Sequence, residues 1–314
     1  MKKLLFIICL SVYSLSASAQ TKSLKKSIQT LNTYLTVYDS LRSHGEHYYT
    51  PKFLKLTRED LIKEFDEPVK ITDSLGNFDA IGIIQSKIEE SLKQVLAHKK
   101  AVTLDLTTAF NDNLAVVKSD DNKLYNFSID GKAGGSYQFR ESWMFYLNED
   151  HFIESRVYDV WKAREQQDPA VFEGNGYNDI RSFTHSGTTY YVLIGNVRTC
   201  GACYVDYVSL VHFETKDFVL DFEYTIDSRF YDQKIFFDKA SKSLSVFYIT
   251  DDLSEDCFCS NEEYNTYWTG GTSNDGERDA DGQLKPKSCS CLFEFNGKTF
   301  KLSKRCMEIM NEDD

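Results

Sequence analysis

Cys257-Phe258-Cys259 and Cys289-Ser290-Cys291 are two cysteine doublets with the same spacing. Residues two apart on a strand share a face, so each doublet aims both sulfurs the same way. In an antiparallel pair, opposed residues share one index sum. Cys257 with Cys291 and Cys259 with Cys289 have the same sum, so one register opposes both pairs. This arithmetic predicts two neighbouring strands joined by Cys257–Cys291 and Cys259–Cys289, bracketing a loop over 260–288. The reading describes a scaffold and not a chemistry.

The sequence downstream of the doublets bears on where those sulfurs point. Asn296-Gly297 joins the run Cys291–Phe295 to Lys298–Leu302 and is the strongest two-residue turn signal in the chain. A two-residue turn there opposes Phe293 to Phe300. Cys289, Cys291, Phe293 and Phe295 then share an aromatic, core-facing side, where sulfurs serve as inert structural bridges.

Working upstream, Ala101 marks a change of texture. After it come short β runs separated by turn residues: Val102–Leu106, Leu114–Lys118, Leu124–Ile129, Tyr137–Leu147, Ile180–Thr184, Thr189–Asn196 and Tyr204–Phe213. Phe218, Leu220, Phe222 and Tyr224 alternate with Val219, Asp221 and Glu223, and Ile235–Phe237 with Leu244–Ile249 forms another hairpin. About twelve strands joined mainly by hairpins imply antiparallel sheets and not parallel βαβ units. No constant period appears, so a sandwich or curved sheet is favoured over a propeller-like arrangement.

Before Ala101 the periodicity is helical. Leu24, Ile28, Leu31, Leu35 and Tyr38 recur at steps of three and four over Lys22–Leu41. Thr57-Arg58-Glu59-Asp60 resembles a capping box opening a short helix to Phe65. A third helix is predicted over about Asp79–Lys100, with Ile84, Ile88 and Leu92 on one face. The fold class is α+β: a helical region over 20–100 against a largely antiparallel, disulfide-containing β domain over 101–314.

Met1–Gln20 reads as an export signal over residues 1–19. Lys2 and Lys3 precede the apolar run Leu4–Leu10, and Ala17-Ser18-Ala19 is a small-residue cleavage site. The apolar run is too short to span a bilayer. The expectation is a periplasmic or secreted protein without an integral membrane segment after cleavage. Cleavage would remove two of the 36 basic residues and none of the 48 acidic ones. That balance disfavours binding to nucleic acid, whose phosphates it would repel.

Export makes disulfides the default state of cysteine. Losing Cys9 leaves an odd set: Cys200, Cys203, Cys257, Cys259, Cys289, Cys291 and Cys306. One thiol must lack a partner within the chain, and Cys306 is the candidate. Cys200-Gly201-Ala202-Cys203 has the C-x-x-C spacing of thiol–disulfide oxidoreductases. The residues after it, Tyr204–Val208, read as strand, without the helix N-terminus that lowers a thiol pKa. A disulfide clipping a hairpin turn is the simpler reading. The four doublet sulfurs could alternatively hold a thiolate metal site, against which an oxidising compartment argues.

Within the bracketed loop, Tyr264, Tyr267 and Trp268 beside Gly270-Gly271 form a candidate recognition surface for a glycan or protein partner. The bland alternative is that these rings fold back as a satellite core. Glu277, Asp279, Asp281 and Gly282 partly echo a calcium loop, but Ser288 stands where the bidentate Glu belongs. His44-Gly45-Glu46-His47 lacks the H-E-x-x-H spacing, and His212 reads as a hydrogen-bonded sheet residue. No cofactor motif, nucleophile elbow or phosphate-cradling loop is found.

The run Ser119-Asp120-Asp121-Asn122-Lys123-Leu124-Tyr125, followed by Gly134-Gly135 and an aromatic strand, continues with Tyr190-Tyr191-Val192-Leu193-Ile194-Gly195 and Phe295-Asn296-Gly297-Lys298-Thr299-Phe300. Together these resemble a pattern in an uncharacterised family of exported bacterial β-rich proteins, in fragments over roughly residues 113–303. The resemblance implies an exported β-rich domain. It carries no activity, and no functional residue is transferred. The sequence favours a non-enzymatic protein of binding or structural type. The alternatives are a carboxylate hydrolase without a local motif and a thiol–disulfide protein using Cys200 and Cys203.

Overall fold

The computed structural model describes residues 22–64, 73–157, 171–201, 203–228, 233–250, 256–269 and 286–309. The proposed signal segment and the acidic turn at 275–282 lie outside them. The described residues fall into two compact units. One holds the residues up to Val116 with Phe127–Gly134 and Phe145–Glu154, and the other holds the remainder. The sequence boundary at residue 100 thus falls within the first unit.

The first unit contains helix α1 (22–39), α2 (Arg58–Glu64) and α3 (Asn77–Leu96), with the short strands β1 (Tyr48–Tyr49) and β2 (Leu75–Gly76) paired antiparallel. Leu31 and Leu35 of α1 are fully buried, as are Ile84, Ile88 and Leu92 of α3. These are the apolar stripes predicted by the helical period. The capping box forms at α2. Thr57 N donates to Asp60 Oδ2 at 2.7 Å, and Asp60 N donates to Thr57 Oγ1 at 3.2 Å. Behind the helices, Tyr38 Oη donates to the Asp130 carbonyl at 2.7 Å, and Phe127 packs edge-on to Phe110 and Phe145. The predicted strand Val102–Leu106 is instead a 3-10 turn over Ala101–Thr103, because Ala101 N and Leu104 N close local bonds to His98 and Ala101. Alternation over five residues is too short to override a helix C-terminus.

Twelve further strands make three four-stranded antiparallel sheets. β3 (Ala115–Lys118), β4 (Leu124–Asp130), β5 (Arg140–Asn148) and β6 (His151–Ser155) lie in chain order. So do β7 (Asp179–His185), β8 (Thr188–Arg198), β9 (Tyr204–Glu214) and β10 (Asp217–Ser228). The third sheet is β11 (Lys234–Asp238), β12 (Ser243–Thr250), β13 (Lys287–Phe295) and β14 (Phe300–Ile309). Every sheet is antiparallel where its register is defined, so the fold is α+β with hairpin-connected meanders. Strands β3, β4, β5 and β6 each supply residues to both units.

In the second unit two sheets share one apolar core. Tyr190, Val192, Val208, Leu210, Tyr224 and Ile226 of β8–β10 pack with Leu244, Val246, Tyr248, Phe293 and Phe300 of β12–β14 and with the four doublet cysteines. Their alternate positions are the even-numbered side chains of β8, as a period of two requires.

Two local expectations fail. The alternation over Phe218–Tyr224 is broken by a β-bulge between Leu220 and Phe222, which leaves Asp221 unpaired in the ladder. The Asn296-Gly297 turn is a four-residue loop, so that Phe295 opposes Phe300 and Phe293 opposes Leu302. The Asn296 side-chain oxygen accepts from both Lys298 N and Thr299 N at 3.0 Å, an Asx motif that widens the loop.

Glycine is required where chains approach closely. A Cβ on Gly195 would lie 2.6 Å from the Gly176 carbonyl oxygen and nearer still to the Tyr207 ring. Gly82 on the exposed side of α3 meets nothing. Gly195→Ala is therefore expected to cost about 1–3 kcal/mol through overpacking. Gly82→Ala should stabilise by up to about 1 kcal/mol through helix propensity. Urea denaturation of both variants checks the opposite signs.

A cystine-anchored aromatic helix

The doublets are joined as Cys257–Cys289 and Cys259–Cys291, with Cα separations of 5.5 and 5.7 Å. The crossed pairing expected from the index sum is incorrect, and so is the strand at Cys257–Cys259. The cause lies in β13. One of its edges is filled by β12, where Val246 and Tyr248 oppose Cys291 and Cys289, and the other by β14. No in-plane position remains for Cys257–Cys259. That segment lies over the inner face of β13, where ladder register does not apply, and it runs in the same direction as the strand. All four sulfur-bearing residues are buried, in agreement with a core-facing side.

Backbone polarity in this irregular segment is satisfied from both sheets. The Phe258 carbonyl accepts from Tyr248 Oη of β12 at 3.0 Å and from Tyr224 Oη of β10. Burial, followed by the neighbouring Tyr248, pushes the Tyr224 phenol up, so it remains a neutral donor. Just beyond, Ser260 caps helix α4 (Asn261–Thr269): Glu263 N donates to Ser260 Oγ at 3.1 Å. The Glu263 carboxylate accepts from Cys259 N at 2.7 Å and pairs with Arg305 of β14 at 2.5 Å. Asn261 Oδ1 accepts from Thr225 N of β10 at 2.9 Å.

Part of the expected loop over 260–288 is thus a capped helix. Ser260-Asn261-Glu262-Glu263 is an S-x-x-E capping signal, and that pattern would have revealed it. Tyr264 and Tyr267, three apart on α4, sit against Phe258 with ring centroids at 5.8 and 5.0 Å. Both are half-buried. Trp268 is the next residue of α4. The remaining predicted residues, Cys200 and Cys203, are bridged across the β8–β9 hairpin, where Thr199 N donates to the Cys203 carbonyl at 3.0 Å. Strand β9 follows at once. Among the described residues Cys306 of β14 is the free cysteine.

The sequence did not mark out two polar features of β8–β10. At the bulge, the buried carboxylate of Asp221 meets His212 Nδ1 at 2.6 Å, which leaves Nε2 facing Glu214 at 3.9 Å. His212 is hydrogen-bonded within the sheet as predicted, but its partner comes from a bulge that alternation hides. At the other end of β9, burial pushes the Asp206 carboxyl up to about 6, against the opposing effect of the Gln233 and Asn196 amides. Gln233 is buried, with neither amide atom in a well-formed hydrogen bond.

Among the described residues, no group of three or more His, Cys, Asp or Glu could hold a metal ion. No family model and no curated protein matches the chain.

Each doublet bridge closes a separation of 32 residues. The first bridge to close constrains the unfolded chain by about 4 kcal/mol, and the second, closing a ring of a few residues, adds about 2. Replacing Cys259 and Cys291 by Ser should therefore cost much less than replacing all four cysteines, as read by urea denaturation.

A carboxyl whose folded pKa is raised favours folding only while protonated. Its stabilisation is present below about pH 4 and lost as pH rises through about 6. Asp206→Asn should then gain about 1–3 kcal/mol relative to the parent between pH 4 and pH 7. A gain independent of pH would show that the carboxyl does not titrate there.

Proposed function

We propose that this is an exported, non-enzymatic binding protein whose recognition surface is α4, with a glycan or protein segment as partner. The observation that carries the reading is the double anchoring of Phe258. Two cystines and two tyrosine hydroxyls hold it in place, and the half-buried Tyr264 and Tyr267 rest on its ring. Rings fixed in advance lose little conformational freedom on binding, and their faces suit sugar rings or apolar side chains. Glu263 and Arg305 beside them offer polar contacts.

Export is supported by the Met1–Gln20 segment and by the three disulfides, which need an oxidising compartment. Among the described residues, no helix is long and apolar enough to cross a membrane. The resemblance to exported β-rich bacterial proteins points the same way.

The alternative is an enzyme. The His212–Asp221 pair favours it, since a buried carboxylate at Nδ1 leaves Nε2 as a possible base. Against a thiol–disulfide activity stand the hairpin position of Cys200–Cys203 and the strand that follows it.

The test is binding to a panel of glycans and peptides. Tyr267→Ala with Trp268→Ala, and separately Tyr264→Ala, should weaken binding at least about tenfold with the fold retained. Unchanged binding across the panel in both variants would overturn the reading. Loss of binding in His212→Ala alone would favour the enzyme-like site.

A further inference from the structure

We propose that β14 is a self-association edge, along which a second copy of this chain adds antiparallel with Cys306 on the two-fold axis. Among the described residues β14 is the last strand of its sheet, and Lys301–Lys304, Met307 and Glu308 are exposed. Its faces are set by the ladder with β13. Arg305 and Met307 oppose Cys291 and Cys289 on the inner face, whereas Lys304, Cys306 and Glu308 oppose Leu292, Ser290 and Ser288 on the outer one.

A copy that continues the sheet across a two-fold axis must oppose residues placed symmetrically about one central residue. Centring on Lys304, Arg305 or Glu308 sets like charges against each other on the axis. Centring on Met307 opposes Cys306 to Glu308 and pairs no charges. Centring on Cys306 opposes Lys304 to Glu308 of the copy, and does so twice by symmetry. Opposite charges directly across a ladder stabilise the pairing, and like charges oppose it. Charge therefore selects the same register that sets the two free thiols face to face. Directly opposed residues of an antiparallel pair lie roughly 4.5–5.5 Å apart at Cα, inside the range a disulfide spans.

The covalent step balances by exchange with a low-molecular-weight disulfide. One Cys306 thiolate attacks it, forming a mixed disulfide and releasing one small thiolate. The Cys306 thiolate of the second copy attacks the protein sulfur of that mixed disulfide, forms the intermolecular bond and expels the second small thiolate. This inference does not depend on what α4 binds.

The test uses the full chain made in an oxidising compartment, in a buffer of reduced and oxidised glutathione, followed by sedimentation and non-reducing electrophoresis. The expected result is a reducible dimer in which peptide mapping finds Cys306 joined to Cys306. Cys306→Ser should fold normally and form no covalent dimer. Lys304→Glu sets like charges across the ladder and should slow dimer formation about tenfold. Adding Glu308→Lys to that variant should restore the rate to within about twofold. A monomer carrying glutathione on Cys306, or linkage equally fast in Lys304→Glu, would overturn the proposal.

Discussion

Two tyrosine hydroxyls from different sheets converge on the carbonyl of Phe258. That carbonyl belongs to an irregular segment buried between β10 and β12, where no ladder partner exists. A backbone acceptor left there without a donor would cost about 1–3 kcal/mol. Given the donors, the segment can occupy the core, and its position brings Cys257 and Cys259 over Cys289 and Cys291. The bridges then make permanent an arrangement that hydrogen bonding has already selected. Helix α4 and its rings follow from that placement, since Ser260 and Glu263 cap the helix one residue beyond the second cystine.

Much of the architecture was legible because periodicity reports which face a residue takes. The stripes of α1 and α3, the hairpin strands from β3 onward and the burial of the doublet sulfurs all follow from periods of 3.6 or 2. What could not be read is what periodicity does not encode. The pairing of the doublets depends on whether Cys257–Cys259 lies beside β13 or over it. The index-sum argument assumed the first, and the occupied edges of β13 enforce the second. The same limit explains the Asn296-Gly297 loop. Its dipeptide suits a two-residue turn, but the Asn296 side chain captures two amides and lengthens the connection. In the candidate site Tyr264, Tyr267 and Trp268 stand out in the sequence as aromatic residues, whereas the helix carrying them is signalled only by Ser260-Asn261-Glu262-Glu263.

The bulge at Asp221 belongs to the same class. Val219 opposes His212 across the ladder, so Asp221, two residues on, keeps to the His212 face, and the inserted residue brings Phe222 and Tyr224 onto that same inner side. Unbroken alternation from Phe218 to Phe222 would set Asp221 on a polar face away from the core, whereas it is a buried partner of His212. Bulges re-aim side chains in this way, and nothing in composition announces them.

A single device recurs at several points where this chain departs from regular structure. Tyr38 donates to the Asp130 carbonyl, Tyr207 to that of Gly176, Tyr190 to that of Gly297, and Tyr224 and Tyr248 to that of Phe258. Each acceptor lies at a strand end or in a loop, where ladder bonding stops. A phenol suits this task because its ring joins the apolar core while its hydroxyl reaches the stray carbonyl. Burial raises the phenols of Tyr207 and Tyr224, which keeps them protonated donors throughout the neutral range. These five tyrosines therefore do more than favour strands. They let a chain of hairpins carry carbonyls outside its ladders, that of Phe258 in the buried segment before α4 among them.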